Sequence, residues 1–216
     1  MSKHGVFVYE EGTAITAPIT SGSGVQVVIG TAPVNMVDDP SAVVNKPILA
    51  NSAKDAMEQL GYLPDFQNYT LCQSMYITNN LFQVGPVVYI NVLDPATHKA
   101  AVSEASYAVN DMQAKVTVKG MLRANLVVKA GSTTLVAGTD FTTAFDDEGN
   151  MIITLIAGGA GDSATSLSVS GNKIDPSAVT AANVIGAYNS STGAETGMEV
   201  IRQVYPKLLA DRKSVV

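Results

Sequence analysis

Two short runs constrain this 216-residue chain more than anything else in it. VQVVIG (residues 25–30) and VVYINV (residues 87–92) are almost unbroken in strand-forming residues. Gly30 and Pro33 close the first, Asp94 and Pro95 the second. A half-exposed strand alternates apolar with polar, whereas a strand covered on both faces, as in a parallel sheet, has no need to. Two helical patterns lie between the runs. Ser52 can cap AKDAMEQLG, with Asp55 at the capping-box position and Gly61 as the stop, so that Ala53, Ala56, Met57 and Leu60 share one face. YTLCQSMYITNNLFQVG (69–85) sets Leu71, Met75, Thr78 and Phe82 on one stripe. Residues 33–52, with three prolines, read as loop with short extended pieces. Strand, helices, strand is the order of a βαβ unit, and the fold class expected is an α/β frame with a mixed or parallel sheet.

The text changes after Ala96. AKVTVKG, ANLVVKAG, TTLVAGTDF, NMIITLIAGG and TSLSVSG are short strand patterns closed by Gly or Asp, with a DDEGN turn at 146–150. Strands at such spacing predict an inserted antiparallel β-sandwich or barrel over 96–175. Helical text resumes in SAVTAANVIGA (177–187) and TGMEVIRQVYPKL (196–208), the latter with Met198, Ile201, Val204 and Tyr205 on one face. The expected division is therefore an extended arm (1–24), a discontinuous α/β domain (25–95 and 176–208), the inserted β domain (96–175) and an atypical tail, LADRKSVV (209–216).

Composition narrows the function. Apolar residues make up 46%, enough for a packed core, but charged residues only 15%, against the usual quarter or so. The surface is then largely Ser, Thr, Asn, Gly and Ala. That suits packing against further copies of the chain, and it suits equally a plain uncharged polar surface. A net charge of −6 with no basic cluster before ADRKSVV argues against nucleic-acid binding. The N-terminus lacks the pattern of a signal peptide, and no stretch is apolar enough for membrane insertion. The single Cys72 fits a reducing compartment and reads as a small core residue rather than a reactive thiol.

No catalytic constellation emerges. GGAGDS (158–163) lacks the Lys-Ser/Thr of a phosphate loop and lies between two strands, so it reads as a hairpin turn. His4 and His98 have no partner at metal-ligand or triad spacing. The acidic groups Glu10-Glu11, Asp38-Asp39 and Asp146-Asp147-Glu148 lie in turn-like text, and FDDEGN lacks the spacing of a calcium loop. No cofactor, metal or catalytic residue is expected.

The arm is the remaining distinctive feature. In HGVFVYEEGTAITAPIT every residue of Val6-Phe7-Val8-Tyr9 favours a strand, and Pro18 with Ser21-Gly22-Ser23-Gly24 separates it from the first buried run. This opening, through VQVVIGTAPVN, resembles that of the sheath proteins of contractile phage tails and phage-tail-like bacteriocins. So do ILANSAKDAMEQLG, the stretch YTLCQSMYITNNLFQVGPVVYINVLDP, and IDPSAVTAANVIGAYNSSTGAETGMEVIRQVYPKL; the resemblance covers about residues 4–208. It departs after YPKL, where the family continues into the rest of its core and a C-terminal domain. The chain is thus expected to be a sheath polypeptide without that part: a fragment, a truncated product, or one whose ending, LADRKSVV, comes from elsewhere.

The resemblance implies a structural, non-enzymatic subunit of the virion tail, assembled in the bacterial host cytoplasm. Its partners would be other copies of itself, the tail tube protein, and baseplate and tail terminator proteins. Subunits would stack in rings around the tube and contract to drive it through the target envelope. Val6, Phe7, Val8, Tyr9 and Ile15 would form the subunit-interaction arm, and Ser21, Gly22, Ser23 and Gly24 its hinge, with the arm added as a strand to a neighbour. The alternative from residues alone is a small α/β ligand-binding or enzymatic domain with a β insertion, its ligand at the ends of the two buried runs. A cell-surface adhesion module is a further alternative, against which the missing signal peptide counts.

Overall fold

The computed structural model describes residues 25–204. The arm residues Val6, Phe7, Val8, Tyr9 and Ile15, the hinge Ser21–Gly24, the tail 209–216 and Tyr205 lie outside the described residues.

The two apolar runs become strands β1 (Gln26–Gly30) and β3 (Val87–Asn91), and they pair in parallel, Gln26 beside Val87 through Gly30 beside Asn91. A strand read in the sequence as a short extended piece, β2 (Pro47–Ala50), adds antiparallel to the other side of β3. The result is a mixed sheet in the order β1-β3-β2. Only the central strand is covered on both faces: all five residues of β3 are buried, whereas β1, at the edge, buries Gly30 alone. An edge strand meets neighbours on fewer sides, so the same β-branched composition ends half-buried there.

Helices α1 (Ala53–Leu60) and α2 (Thr70–Met75) cover the face that carries Val87 and Tyr89, packing Ala56, Leu60, Leu71 and Met75 against them. α1 begins and ends as the sequence predicts. The Ser52 hydroxyl accepts the Asp55 N–H at 3.2 Å, and Gly61 follows with φ 75°. The Asp55 carboxylate reaches back one residue further than a capping box requires, accepting from the Asn51 N–H at 3.0 Å. The opposite face, with Val88 and Ile90, is covered by the segment 197–204, where Val200 and Val204 are buried.

Two expected stripes shift out of phase. After Met75 the chain widens into a π-helical turn over Tyr76–Leu81. Its wider i→i+5 spacing keeps Thr78 at the core, where its hydroxyl meets the Tyr89 hydroxyl at 2.9 Å, but turns Phe82 outward, 66% exposed. The last segment opens with a 3-10 turn, Gly197–Val200, of three residues per turn. Val200 takes the buried place expected of Met198, which is half-exposed. Between them α3 is short (Ala181–Ile185), opened by Asn183 accepting from the Thr180 N–H.

The rest forms one antiparallel sheet of seven strands: β4 (Lys99–Asn110), β5 (Gln113–Val116), β6 (Val127–Ala130), β7 (Thr133–Thr134), β8 (Phe141–Phe145), β9 (Met151–Leu155) and β10 (Ser166–Ile174). Their order is β7-β6-β10-β4-β5-β9-β8. The sheet curls round a single core, to which Val128, Leu167, Val169, Ala114, Val116, Met151, Ile153, Leu155 and Phe141 contribute from both ends of that order. The edge strands β7 and β8 are successive in the chain. Asp140 holds the turn between them, accepting the Val136 and Ala160 N–H groups at 2.8 and 2.9 Å. The GGAGDS stretch is a turn between β9 and β10, and DDEGN joins β8 to β9. In that second turn Asp146 accepts from the Asn150 backbone and side chain and pairs with Lys115 at 2.8 Å.

Two predictions follow from the packing. A Cβ on Gly30 would stand 2.2 Å from the Thr70 hydroxyl, which itself holds the Thr31 N–H. Gly30→Ala should cost about 1–3 kcal/mol by overpacking, read as a lower midpoint in chemical denaturation. At Asp146 burial works against the charged form, but Lys115 and the Asn150 donors outweigh it and hold the carboxyl well below its ordinary range. A carboxyl depressed in the folded state contributes stability that is full above its unfolded pKa and lost as pH falls towards the folded one. The Tm difference between the unmodified chain and Asp146→Asn should therefore be constant near neutrality and shrink from about pH 4 downward.

Candidate assembly surface

The alternative of a ligand site has a definite place in this fold, the carboxyl ends of the parallel pair β1 and β3. That place is filled by the chain itself. At the end of β1, Thr31 donates its N–H to the Thr70 hydroxyl at 3.1 Å and its own hydroxyl to the Asn68 carbonyl at 2.8 Å. The Leu71 N–H returns to the Thr31 carbonyl at 3.0 Å. At the end of β3, the fully buried Asn91 accepts from the Ala32 and Leu93 N–H groups and donates to the Leu93 carbonyl at 2.9 Å.

Of the titratable groups singled out in the sequence, His98, Asp39, Asp146 and Glu148 have structural partners, and His4, Glu10 and Glu11 lie outside the described residues. His98 is 8% exposed; its Nδ1 accepts the Asp94 N–H at 3.0 Å. Asp39 accepts from Ser41 and Ala42, opening a short 3-10 turn. Among the described residues no group of three or more His, Cys, Asp or Glu could hold a metal ion, and no helix is long and apolar enough to cross a membrane. Cys72 lies buried with Leu63, Tyr69, Leu93, Leu122 and Ile174; burial, with a smaller contribution from Asp65, pushes its thiol up to about 11.

What the fold leaves open is backbone and apolar surface. Among the described residues, β1 and β2 of the three-stranded sheet each have a strand neighbour on one side only. In the large sheet β4 pairs with β10 along Lys99–Ala108 but with β5 only at Val109 and Asn110. Among the described residues, the outer edge of its first ten residues meets no strand. From Ser103 to Ser106 β4 is exposed on both faces. Open strand edges are templates for pairing with another chain.

An apolar tip lies at the end of the π turn. Ile77, Leu81, Phe82 and Val84 are 39%, 59%, 66% and 53% exposed, and the turn is closed by Phe82 and Val84 N–H groups donating to the Ile77 and Thr78 carbonyls. Leu49, on the edge strand β2, is half-exposed as well. From Phe66 to Leu93 the chain has no Asp, Glu, Lys or Arg at all. In a chain of net charge −6, this stretch is where a similarly charged molecule can approach without like-charge repulsion. The edges and the tip were not singled out as residues in the sequence. The uncharged stretch is the signal that could have marked the tip; β4 has none, because its Ala, Ser, Lys and Glu composition is not that of a strand.

Surfaces of this kind suit contact with other polypeptide. No family model matches the chain. It is similar to the tail sheath protein of Burkholderia phage BcepMu, 31% identical over 204 residues that make up 94% of its own length. The chain spans about 40% of the length of that curated relative.

The burial of Cys72 is directly checkable. A thiol raised from 9.0 to about 11 holds about a hundredfold less thiolate at pH 8. Labelling by a disulfide reagent at pH 8 should be at least that much slower in the folded chain than in denaturant; equal rates would contradict the packing described.

Proposed function

We propose that this polypeptide is part of the sheath subunit of a contractile phage tail, a structural and non-enzymatic component. The similarity to a tail sheath protein along nearly the whole chain carries this reading. The open strand edges and the uncharged apolar tip support it, because a subunit in a continuous wall must present surface that other polypeptide covers.

In this reading subunits surround the tail tube and pass from an extended to a contracted arrangement. The work comes from contacts that differ between the two states, so the assembly is a bistable interface. Residues 1–24 act as the connector: Val6, Phe7, Val8, Tyr9 and Ile15 add a strand to a neighbouring subunit, and Ser21-Gly22-Ser23-Gly24 is the swivel. Backbone hydrogen bonds then persist while the folded bodies rotate. The partners are further copies, the tube, and the proteins that close the two ends of the tail. The location is the virion tail.

Electron microscopy of the chain joined to the remainder of a sheath polypeptide tests the reading. Tubes should form, and deletion of residues 1–20 should leave a folded monomer that forms none. Phe82→Asp with Leu81→Asp should lower tube yield at least tenfold while leaving circular dichroism unchanged. Tubes formed without residues 1–20 would remove the connector role. Failure of the intact polypeptide to form tubes with its tube protein would remove the sheath reading.

A further inference from the structure

The two sheets meet through an apolar joint. Leu63, Tyr69, Cys72 and Leu93 on the side of the three-stranded sheet and Leu122 and Ile174 on the side of the large sheet form one buried cluster. The chain crosses between the sheets twice, before β4 and after β10. The two crossings are tied together by the Asp175 N–H donating to the His98 carbonyl at 2.9 Å. Apolar contact of this sort is non-directional. The crossings lie at one point, and a further apolar contact, Leu63 against Gly149 of the β8–β9 turn, lies away from it; neither supplies a directional bond that sets the angle between the sheets.

We infer that Arg123 is the latch that sets this angle. Its guanidinium donates through Nη1 to the Val37 carbonyl at 2.8 Å, and at 3.5 Å to the Asn35 carbonyl, both in the loop that follows β1. Through Nε it donates to the Thr143 hydroxyl at 3.3 Å, and it lies over the Phe145 ring, 4.9 Å from its centre. Thr143 and Phe145 belong to β8, three places along the sheet from β4, where the chain crosses. One cation thus joins the far strand of the large sheet to the first loop of the small one. Hydrogen bonds from a charged donor are strong and directional, and a planar fork fixes geometry as a point charge does not.

The seat of the latch is buried and polar. Asn35 is 1% exposed, and neither its side-chain oxygen nor its nitrogen has a hydrogen-bond partner. Without the guanidinium, the Val37 carbonyl would lose its partner beside an amide that already has none. Among the described residues, loss of the fork leaves no hydrogen bond between β8 and this loop, and the angle is released. This inference concerns the chain itself and stands whether or not it forms a sheath.

Residual dipolar couplings of the ¹⁵N-labelled chain test it. One alignment tensor should fit the amides of both sheets in the unmodified chain and in Lys129→Ala, which breaks only an exposed ion pair within the large sheet. In Arg123→Ala the couplings should still fit within each sheet, but the two sheets should need separate tensors. Arg123→Lys keeps the charge but cannot serve Val37 and Thr143 together, and should also lose the single tensor. A single tensor in Arg123→Ala overturns the latch. So does loss of amide-exchange protection in β9, which would make Arg123 a strut of the large sheet itself.

Discussion

The buried amide of Asn91 is the point on which the rest of this structure depends. Among the described residues β3 is the one strand covered on both faces, and a strand so covered must end without exposing polar backbone. The Asn91 side chain solves this for two strands at once, receiving the chain as it leaves β1 and as it leaves β3. The backbone carbonyl of Asn91 accepts the Asn45 N–H at 2.8 Å, and the Asn45 side chain in turn accepts the Gly197 N–H at 2.8 Å. One chain of hydrogen bonds therefore joins β1, β3, the loop before β2 and the segment that covers the second face. Replacing any member leaves buried groups unpaired, which costs more than the bonds themselves are worth.

That closure bears on function. The carboxyl ends of parallel strands are where folds of this class usually admit a ligand. Here Thr31, Thr70 and Asn91 spend their polar groups on the backbone. What the molecule leaves open lies at its margins: strand edges, an uncharged apolar tip, and the long β4. Open edges and apolar surface of this kind suit contact with other polypeptide, in keeping with the proposed sheath role.

Much of the small sheet is legible in the sequence. The parallel pair, the Ser52-capped helix with its Gly61 stop and the core place of Cys72 follow from residue types at short spacing. The misplaced residues share a cause. Phe82 and Met198 were assigned by a period of 3.6, and the chain departs from that period at both places, through a π turn and a 3-10 turn. β4 was invisible for another reason. KAAVSEASYAVN has little strand preference of its own and is held extended by β10 beside it.

Taken by itself, the sequence determined the local events: where apolar runs must be buried, where a helix can be capped, where glycine and aspartate turn the chain, and the absence of charge from residue 66 to 93. These depend on neighbours within a few positions. Only the tertiary structure decided which run became the central strand, that the seven strands curl round a single core, and that Arg123 reaches Val37. Those outcomes rest on contacts between residues far apart in the chain, such as Arg123 with Val37 or Asn45 with Gly197. No local pattern encodes such contacts, because the energy that selects them appears only when the distant partners meet.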